Sequence, residues 1–127
     1  MSPKNILVVD DSATMRQLLA LTLKKVRGCQ VVEACQGKEA ADKLSRHAFD
    51  LVITDINMPE MDGLMLVSHI RGVLKLSLPI VIVTTKGEEG AREQGLQKGA
   101  SAYLTKPISG EILVKLVQGL LPEGAPA

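Results

Sequence analysis

The sequence predicts an α/β fold: a doubly wound parallel sheet of five strands with five helices. Three observations lead to this fold class. Apolar, β-branched runs recur without polar alternation, as is typical of strands covered by helices on both faces of a sheet. Helical patterns separate these runs and the joints are short. The length of 127 residues suits one domain with a single core.

Five segments are expected to be strands. The clearest are residues 6–9, 51–53 and 80–83, which are continuous apolar runs, and residues 30–34 and 101–104 are shorter candidates. Because strand and helix alternate five times, right-handed crossovers predict the flavodoxin-like strand order 2-1-3-4-5. In that order ligands bind outside the carboxyl ends of the first and third strands, where the strand order reverses.

Four of the five helices show an amphipathic pattern. Ser12 is a candidate cap of the first helix and Gly28 ends it. Residues 38–47 form the second helix, the third ends before Pro79, and the last begins at Ser109. The side chains expected to face the core are Met15, Leu18, Leu19, Thr22 and Val26; Ala40, Ala41 and Leu44; Leu66, Val67, Ile70, Val73 and Leu74; and Leu113, Leu116, Val117, Leu120 and Leu121.

The fourth helix, residues 86–99, is expected to be marginal. It contains four glycines (Gly87, Gly90, Gly95 and Gly99), and its only apolar residues are Ala91 and Leu96. Each interior glycine costs about 0.5–1 kcal/mol relative to alanine. Such a helix is either a poorly made surface element or one that moves as part of function.

Composition argues against several classes of protein. The 15 basic and 14 acidic residues leave a net charge of +1 and are scattered, so no nucleic-acid or membrane-surface partner is expected. No segment has the roughly 18 apolar residues of a membrane span, and no export signal is visible. Cys29 and Cys35 form no CxxC pair and are expected to be reduced, partly buried thiols of a cytoplasmic protein.

Polar residues follow neighbouring strands of the predicted sheet. Asp10 and Asp11 follow the first strand and Asp55 the third. Adjacent parallel strands lie about 4.8 Å apart, so the three carboxylates should converge, and they cannot all stay ionised without a cation. Carboxylate oxygens favour Mg²⁺ or Mn²⁺. Thr84 and Lys106 add a hydroxyl and an ammonium at the same edge, and the set suits a phosphoryl group.

Each of these residues alone has an ordinary structural interpretation. Asp10 and Asp11 could simply cap a helix, Asp55 could be a turn residue, Thr84 could be an ordinary strand residue, and Lys106 could be a solvated lysine. All of these residues are expected at one edge of the sheet, where the strand order reverses, and this joint placement favours a functional site over coincidence.

Four segments resemble the receiver domains of bacterial response regulators in two-component systems, and the chain is most similar to the single-domain chemotaxis (CheY-like) type. They are ILVVDDSATMRQLL (6–19), DLVITDINMPEMDG (50–63), IVIVTT (80–85) and YLTKP (103–107). The resemblance covers about residues 5–121. It implies a phosphoprotein of a phosphorelay that accepts its phosphoryl group from a sensor histidine kinase or a phosphotransfer protein. It implies no enzymatic turnover beyond slow self-dephosphorylation.

The resemblance implies a role for each acidic residue. Asp55 would be the phosphoacceptor. Asp11 and Asp55 would bind Mg²⁺ directly, together with the backbone carbonyl of Asn57, while Asp10 would act mainly through a water on the metal. Asn57 would also modulate the lifetime of the acyl phosphate, as would Lys86, unless Lys86 points to solvent.

The resemblance also implies a switch. Thr84 would hydrogen-bond one phosphoryl oxygen and Lys106 would pair with another, and the Lys106-Pro107 peptide bond is expected to be cis. Thr84 would move toward the phosphoryl group while Tyr103 turns inward. The surface of helix 4, strand 5 and helix 5, about residues 88–120, would then change for a downstream protein target.

The organisation and pathway remain open at this point. The chain is expected to be one monomeric domain over residues 1–127, with a core at 5–121 and a loose tail at 122–127. Chemotaxis or motility control is one expectation beside phosphorelay shuttling. The alternatives are the receiver of a longer regulator with a DNA-binding or enzymatic output domain, a flavodoxin-like redox carrier, and an aspartyl phosphatase.

Overall fold

The computed structural model describes residues 4–84 and 89–121, which form a parallel five-stranded sheet with helices on both faces. The strand order β2-β1-β3-β4-β5 confirms the predicted topology. The strands are β1 Lys4–Val9, β2 Cys29–Ala34, β3 Leu51–Asp55, β4 Ile80–Thr84 and β5 Ala102–Thr105. The helices are α1 Ala13–Leu23, α2 Gly37–Arg46, α3 Gly63–Gly72, α4 Glu89–Lys98 and α5 Gly110–Leu120.

The core lies on both faces of the sheet. Alternate residues of β1 enter different clusters: Leu7 and Val9 pack with side chains of α2 and α3, whereas Ile6 and Val8 pack with side chains of α1 and α5. All residues of β3 and β4 are buried, which is why these strands show no polar alternation. Among the helices that the structure describes, none is long and apolar enough to cross a bilayer.

Two predicted serine caps are present. The Ser12 hydroxyl accepts a hydrogen bond from the Met15 N–H at 3.2 Å, and the Ser109 hydroxyl accepts one from the Ile112 N–H at 3.4 Å. Each serine satisfies one of the N–H groups that a first helical turn leaves without an internal partner. The caps therefore fix where α1 and α5 begin, directly after the loops at the carboxyl edge of the sheet.

Two predictions about core side chains are wrong. Leu18 is 52% exposed, and Leu23, which was not predicted, is fully buried in its place. Helix α1 carries more leucines than one face can bury, so hydrophobic periodicity alone leaves its rotation undetermined. Val73 is 67% exposed because α3 ends at Gly72 and Val73 is only its C-cap.

The cysteine prediction is half right. Both thiols are free, as expected. Cys29, the first residue of β2, is partly buried, but Cys35 is exposed because it lies just past the end of that strand.

Helix α4 is weakly anchored, as its glycine content predicts. Among its described side chains, Leu96 is 39% exposed, and the buried residue is Gly95. A Cβ atom at Gly95 would collide with the end of the Ile82 side chain and lie 3.4 Å from Leu64. The helix therefore approaches β4 closely at a position that offers almost no side chain to hold it.

Gly63 and Gly72, at the two ends of α3, provide a matched pair of substitutions. A Cβ atom at Gly63 would overlap the carbonyl oxygen of Asp55 and lie 2.8 Å from Ile56 Cα, whereas one at Gly72 meets nothing within 4 Å. We expect Gly63→Ala to lower the free energy of unfolding by about 2–3 kcal/mol, because backbone atoms must move. Gly72→Ala should raise it by about 0.5 kcal/mol. Urea denaturation measures both, and equal effects would contradict this packing.

Candidate functional site

Three carboxylates meet at the carboxyl ends of β1 and β3. One oxygen from each of Asp10, Asp11 and Asp55 lies within 4.8 Å of the others. The cause is the sheet register, in which Val9 of β1 pairs with Thr54 of β3, so that the residues that follow them are neighbours. The convergence expected from the sequence is therefore present.

The three carboxylates differ in their surroundings. Asp10 and Asp55 are 1% and 4% exposed, whereas Asp11 is exposed. The carboxylate of Asp10 accepts a hydrogen bond from the Ser12 N–H at 2.9 Å, and that of Asp55 accepts one from the Ile56 N–H at 2.9 Å. Two acids are thus fixed inside the site, and one faces solvent.

The ammonium of Lys106 lies between the two buried acids. Its Nζ atom is 3.5 Å from Asp55 Oδ2 and 3.6 Å from Asp10 Oδ2, and the side chain is 22% exposed. The backbone N–H of Lys106 donates to the Thr84 carbonyl at 2.8 Å, which holds this residue at the end of β5. The Lys106-Pro107 peptide bond is cis, as the resemblance led us to expect.

The charge of the site is not balanced by Lys106. Burial raises the pKa of Asp55 above its usual range, and the negative charge of Asp10 raises it further. Lys106 lowers this pKa, as do hydrogen bonds from the backbone of Ile56 and Asn57, but the net direction is upward. Burial and the charge of Asp10 together therefore outweigh the ammonium and the two backbone hydrogen bonds.

The donor set fits a hard divalent cation. The three residues Asp10, Asp11 and Asp55 offer only carboxylate oxygens, the ligands that Mg²⁺ and Mn²⁺ prefer. The exposure of Asp11 leaves one side of the cluster open, and Mg²⁺ usually keeps several waters. Burial and the charge of the neighbouring Asp10 both raise the pKa of Asp55, and a cation between the two carboxylates would relieve the second of these effects.

Thr84 lies at the same edge. It is the last residue of β4 and is 3% exposed. Asp55 pairs with Val83 in the sheet register, and the Ile56 N–H donates to the Val83 carbonyl at 3.2 Å. Thr84 is therefore one residue beyond Asp55's partner, where the sequence predicted it.

Tyr103 lies on β5, away from the carboxylates. It pairs in register with Ile82 and is partly buried. The guanidinium carbon of Arg92, on α4, lies 4.2 Å from the centre of the Tyr103 ring, a cation–π contact. This tyrosine therefore connects α4 to the sheet.

The structure describes one of the two predicted modulating residues, Asn57, and the modulating role of both Asn57 and Lys86 stays a prediction. Asn57 is exposed in the loop after β3, whose backbone is held by N–H groups of Met58 and Gly63 that donate to the Ile56 carbonyl at 3.0 and 2.9 Å. Lys86 lies outside the described residues. The tail 122–127 and the start of the predicted fourth helix also lie outside them.

Sequence reasoning missed Arg16. Its Nη1 atom donates to the Asp10 carbonyl at 2.7 Å, and its Nε atom donates to Glu33 Oε1 at 3.1 Å. The available signal was an arginine in the second turn of α1, close behind the acidic pair, with an opposite charge on the adjacent strand. That signal is weak, because exposed charges of both signs are common on helices and edge strands.

The comparisons with known proteins agree on a family. Residues 6–118 match the sequence model of the response regulator receiver domain. The chain is 38% identical to a chemotaxis protein CheY homolog of Campylobacter jejuni, over 94% of both chains. It resembles the solved structure of the chemotaxis response regulator CheY4 of Vibrio cholerae, with a TM-score of 0.85 and 35% identity, covering 94% of this chain and 100% of that one.

A longer regulator also matches. The chain is 40% identical to the transcriptional regulatory protein ResD of Bacillus subtilis, over 91% of this chain and 47% of ResD. The region that the family model matches, residues 6–118, includes Asp10, Asp11, Asp55, Thr84 and Lys106. Neither the redox-carrier nor the phosphatase alternative gains support from these matches. The chain therefore belongs to the response regulator receiver domain family, whose members accept phosphoryl groups in signalling.

Proposed function

We propose that Asp55 is the residue of this receiver domain that takes the phosphoryl group. The supporting observation is its place in the sheet order. Asp10 and Asp11 follow β1 on one side, while Thr84 ends β4 and Lys106 follows β5 on the other. Asp55 is thus the carboxylate with acidic metal ligands to one side and a hydroxyl and an ammonium to the other.

The proposed reaction is a direct transfer. A carboxylate oxygen of Asp55 attacks phosphorus, the P–N bond of the donor's phosphohistidine breaks, and the electron pair stays on that ring nitrogen; a proton on the other ring nitrogen makes the leaving group a neutral imidazole. The product is an acyl phosphate on Asp55. The Lys106 ammonium, now 3.5 Å from Asp55 Oδ2, would pair with a phosphoryl oxygen, and the Thr84 hydroxyl would donate to another.

We propose that the metal is Mg²⁺, with Mn²⁺ as a substitute. Asp11, Asp55 and the backbone carbonyl of Asn57 would hold it directly, and Asp10 would act through a water. The exposure of Asp11 supports its direct role, since an ion can reach it from solvent, whereas the direct role of Asp55 and the indirect role of Asp10 are carried over from the family resemblance. When bound, the ion neutralises charge on the transferring phosphoryl group.

The output surface is proposed to be α4, β5 and α5. Thr84 and Tyr103 would link the site to it, because Tyr103 contacts Arg92 of α4. The weak anchoring of α4 at Gly95 supports a helix whose packing is easily biased between two arrangements. A downstream protein target would read this surface, and Asn57 and Lys86 would set how long the acyl phosphate lasts.

The pathway is proposed from the relatives. The chain matches CheY relatives along nearly their whole length, which supports chemotaxis or motility control by a single-domain protein. This protein would be a cytoplasmic monomer, and its phosphoryl donor would be a histidine kinase or a phosphotransfer protein. The match to ResD supports the second candidate, the receiver of a longer regulator with an output domain. The full length of the gene product distinguishes the two.

The experiment for the proposed function uses a small-molecule phosphodonor. Incubation of the chain with the donor and Mg²⁺ should add one phosphoryl group, measured by intact mass spectrometry. Chelation of the divalent ion with EDTA should prevent the gain, because the repulsion around Asp55 then opposes an incoming anion. No gain with Mg²⁺, or an equal gain with EDTA, would contradict the proposal.

A further inference from the structure

We infer that Arg16 is a positioning residue for the acidic site: it holds the turn that carries Asp10 and Asp11 by tying this turn to strand β2. The inference rests on the proposed function, since it takes a divalent cation as the ligand of that turn. Arg16 itself touches none of the reacting groups in the proposed transfer.

The geometry consists of one guanidinium with two anchors. Its Nη1 atom donates to the Asp10 carbonyl at 2.7 Å, and its Nε atom donates to the Glu33 carboxylate at 3.1 Å. The Arg16 side chain is only 17% exposed. Because a guanidinium is planar and its donors form a rigid fork, these two bonds add a second tie between the Asp10 backbone and β2, beside the bond from the Asp10 N–H to the Ala34 carbonyl.

Arg16 adds a side-chain contact to the backbone of Asp10, whose carboxylate also lies 3.6 Å from Lys106 Nζ. The Asp10 N–H donates to the Ala34 carbonyl at 3.1 Å, and a carboxylate oxygen accepts from the Ser12 N–H at 2.9 Å. Both of these contacts are made by backbone atoms of the neighbours. The bond to the Asp10 carbonyl comes from a side chain, so it can be removed by substitution without altering the other two.

The backbone of Glu33, whose carboxylate is the second anchor, is hydrogen-bonded to α2. Lys43 of α2 donates to the Glu33 carbonyl at 2.7 Å, and its ammonium lies 3.3 Å from the Glu39 carboxylate. Arg16 thus connects the acidic turn to a strand residue that α2 also holds. The Lys43 contact holds the Glu33 backbone, while the Glu33 carboxylate itself is 41% exposed, so the bond from Arg16 to the Asp10 carbonyl is the stronger of its two anchors.

Two roles for Arg16 predict opposite results. If Arg16 only balanced the charge of the acidic cluster, its removal would strengthen Mg²⁺ binding, because one repelling cation is lost. If Arg16 positions Asp10 and Asp11, its removal weakens Mg²⁺ binding. Loss of groups that orient metal ligands typically costs about 10–100-fold in metal affinity.

Mg²⁺ titration calorimetry on the full chain tests the inference. We expect the Kd for Mg²⁺ to rise about 10-fold in Arg16→Met. Arg16→Lys keeps the positive charge but lacks the forked donors of a guanidinium, so we expect its Kd for Mg²⁺ to rise about threefold. A role in charge balance alone predicts no change in this variant. Arg46→Met is the matched control: Arg46 also has its Nε atom 3.1 Å from a carboxylate, that of Asp42, on the exposed side of α2.

The outcomes separate this inference from the proposed function. If the wild type binds Mg²⁺ and both Arg16→Met and Arg16→Lys bind it equally well or more tightly, the inference about Arg16 is wrong. The proposed function then still stands. Absence of Mg²⁺ binding by the wild type overturns both. Circular dichroism checks that the variants fold. If Arg16→Met does not fold, Arg16→Lys decides the question, since its charge equals that of the wild type.

Discussion

Replacement of Asp55 by asparagine should abolish the gain of a phosphoryl group and stabilise the metal-free fold. The amide cannot form the acyl phosphate, so intact mass spectrometry should detect no gain with donor and Mg²⁺. The amide also removes a buried charge beside Asp10. We expect the free energy of unfolding at neutral pH to rise by about 1 kcal/mol in the absence of divalent ions, measured by urea denaturation.

The pH dependence of this stabilisation has a defined sign. Burial and the charge of Asp10 raise the folded-state pKa of Asp55 above its unfolded value. The contribution of Asp55 to stability is therefore fully present below the unfolded pKa and is lost as pH rises through the folded pKa. Asp55→Asn has no such loss. The difference in free energy of unfolding between Asp55→Asn and the wild type should therefore grow as pH rises from the unfolded-state pKa to the folded-state pKa of Asp55, and then stay constant.

A control variant tests whether the effect belongs to the site. Asp42 is an exposed carboxylate on α2 that pairs with Arg46, and Asp42→Asn should change stability by less than about 0.5 kcal/mol at neutral pH. An Asp55→Asn variant that still gains a phosphoryl group would place the acceptor elsewhere. A stability difference that shrinks as pH rises would contradict the raised pKa.

Replacement of Lys106 by methionine should slow phosphorylation by about 100-fold at saturating donor and Mg²⁺. The physical reason is the loss of the ammonium that lies 3.5 Å from Asp55 Oδ2 and would meet a phosphoryl oxygen. Removal of one preorganised electrostatic contact typically costs 10²–10³-fold in rate. The measurement is a single-turnover time course of the intact mass of the chain.

Mg²⁺ binding separates this effect from damage to the metal site. Lys106→Met removes a cation beside Asp10 and Asp55, so it should bind Mg²⁺ more tightly while reacting more slowly. Lys115→Met, which removes an exposed lysine on α5, serves as the control and should react at the wild-type rate. A rate for Lys106→Met within about twofold of wild type would exclude the proposed contact.

Much of the fold follows from local patterns in the sequence. Strands β3 and β4 contain the continuous apolar runs 51–53 and 80–83, which are typical of strands covered by helices on both faces of a sheet. The alternation of these runs with helices is typical of a doubly wound sheet, and the strand order β2-β1-β3-β4-β5 brings Asp10, Asp55, Thr84 and Lys106 to one edge. The location of the site was predictable because it depends only on topology.

Side-chain detail was less predictable, since it depends on contacts between elements distant in sequence. The exposure of Leu18 and burial of Leu23 are set by the rotation of α1 against the sheet and α5, which a helix with leucines on several faces does not encode. Arg16 and Glu33 are 17 residues apart, and their bond depends on the placement of α1 over β2. The difference in burial between Asp10 and Asp11 also arises only in the folded turn.

The most direct test of the central claim is to locate the phosphoryl group within the chain. After reaction with a small-molecule phosphodonor and Mg²⁺, reduction of the acyl phosphate with borohydride followed by peptide mass spectrometry marks the modified residue. We expect modification of Asp55 alone. Modification of Asp10, Asp11 or a residue outside the acidic cluster would contradict the proposed role of Asp55.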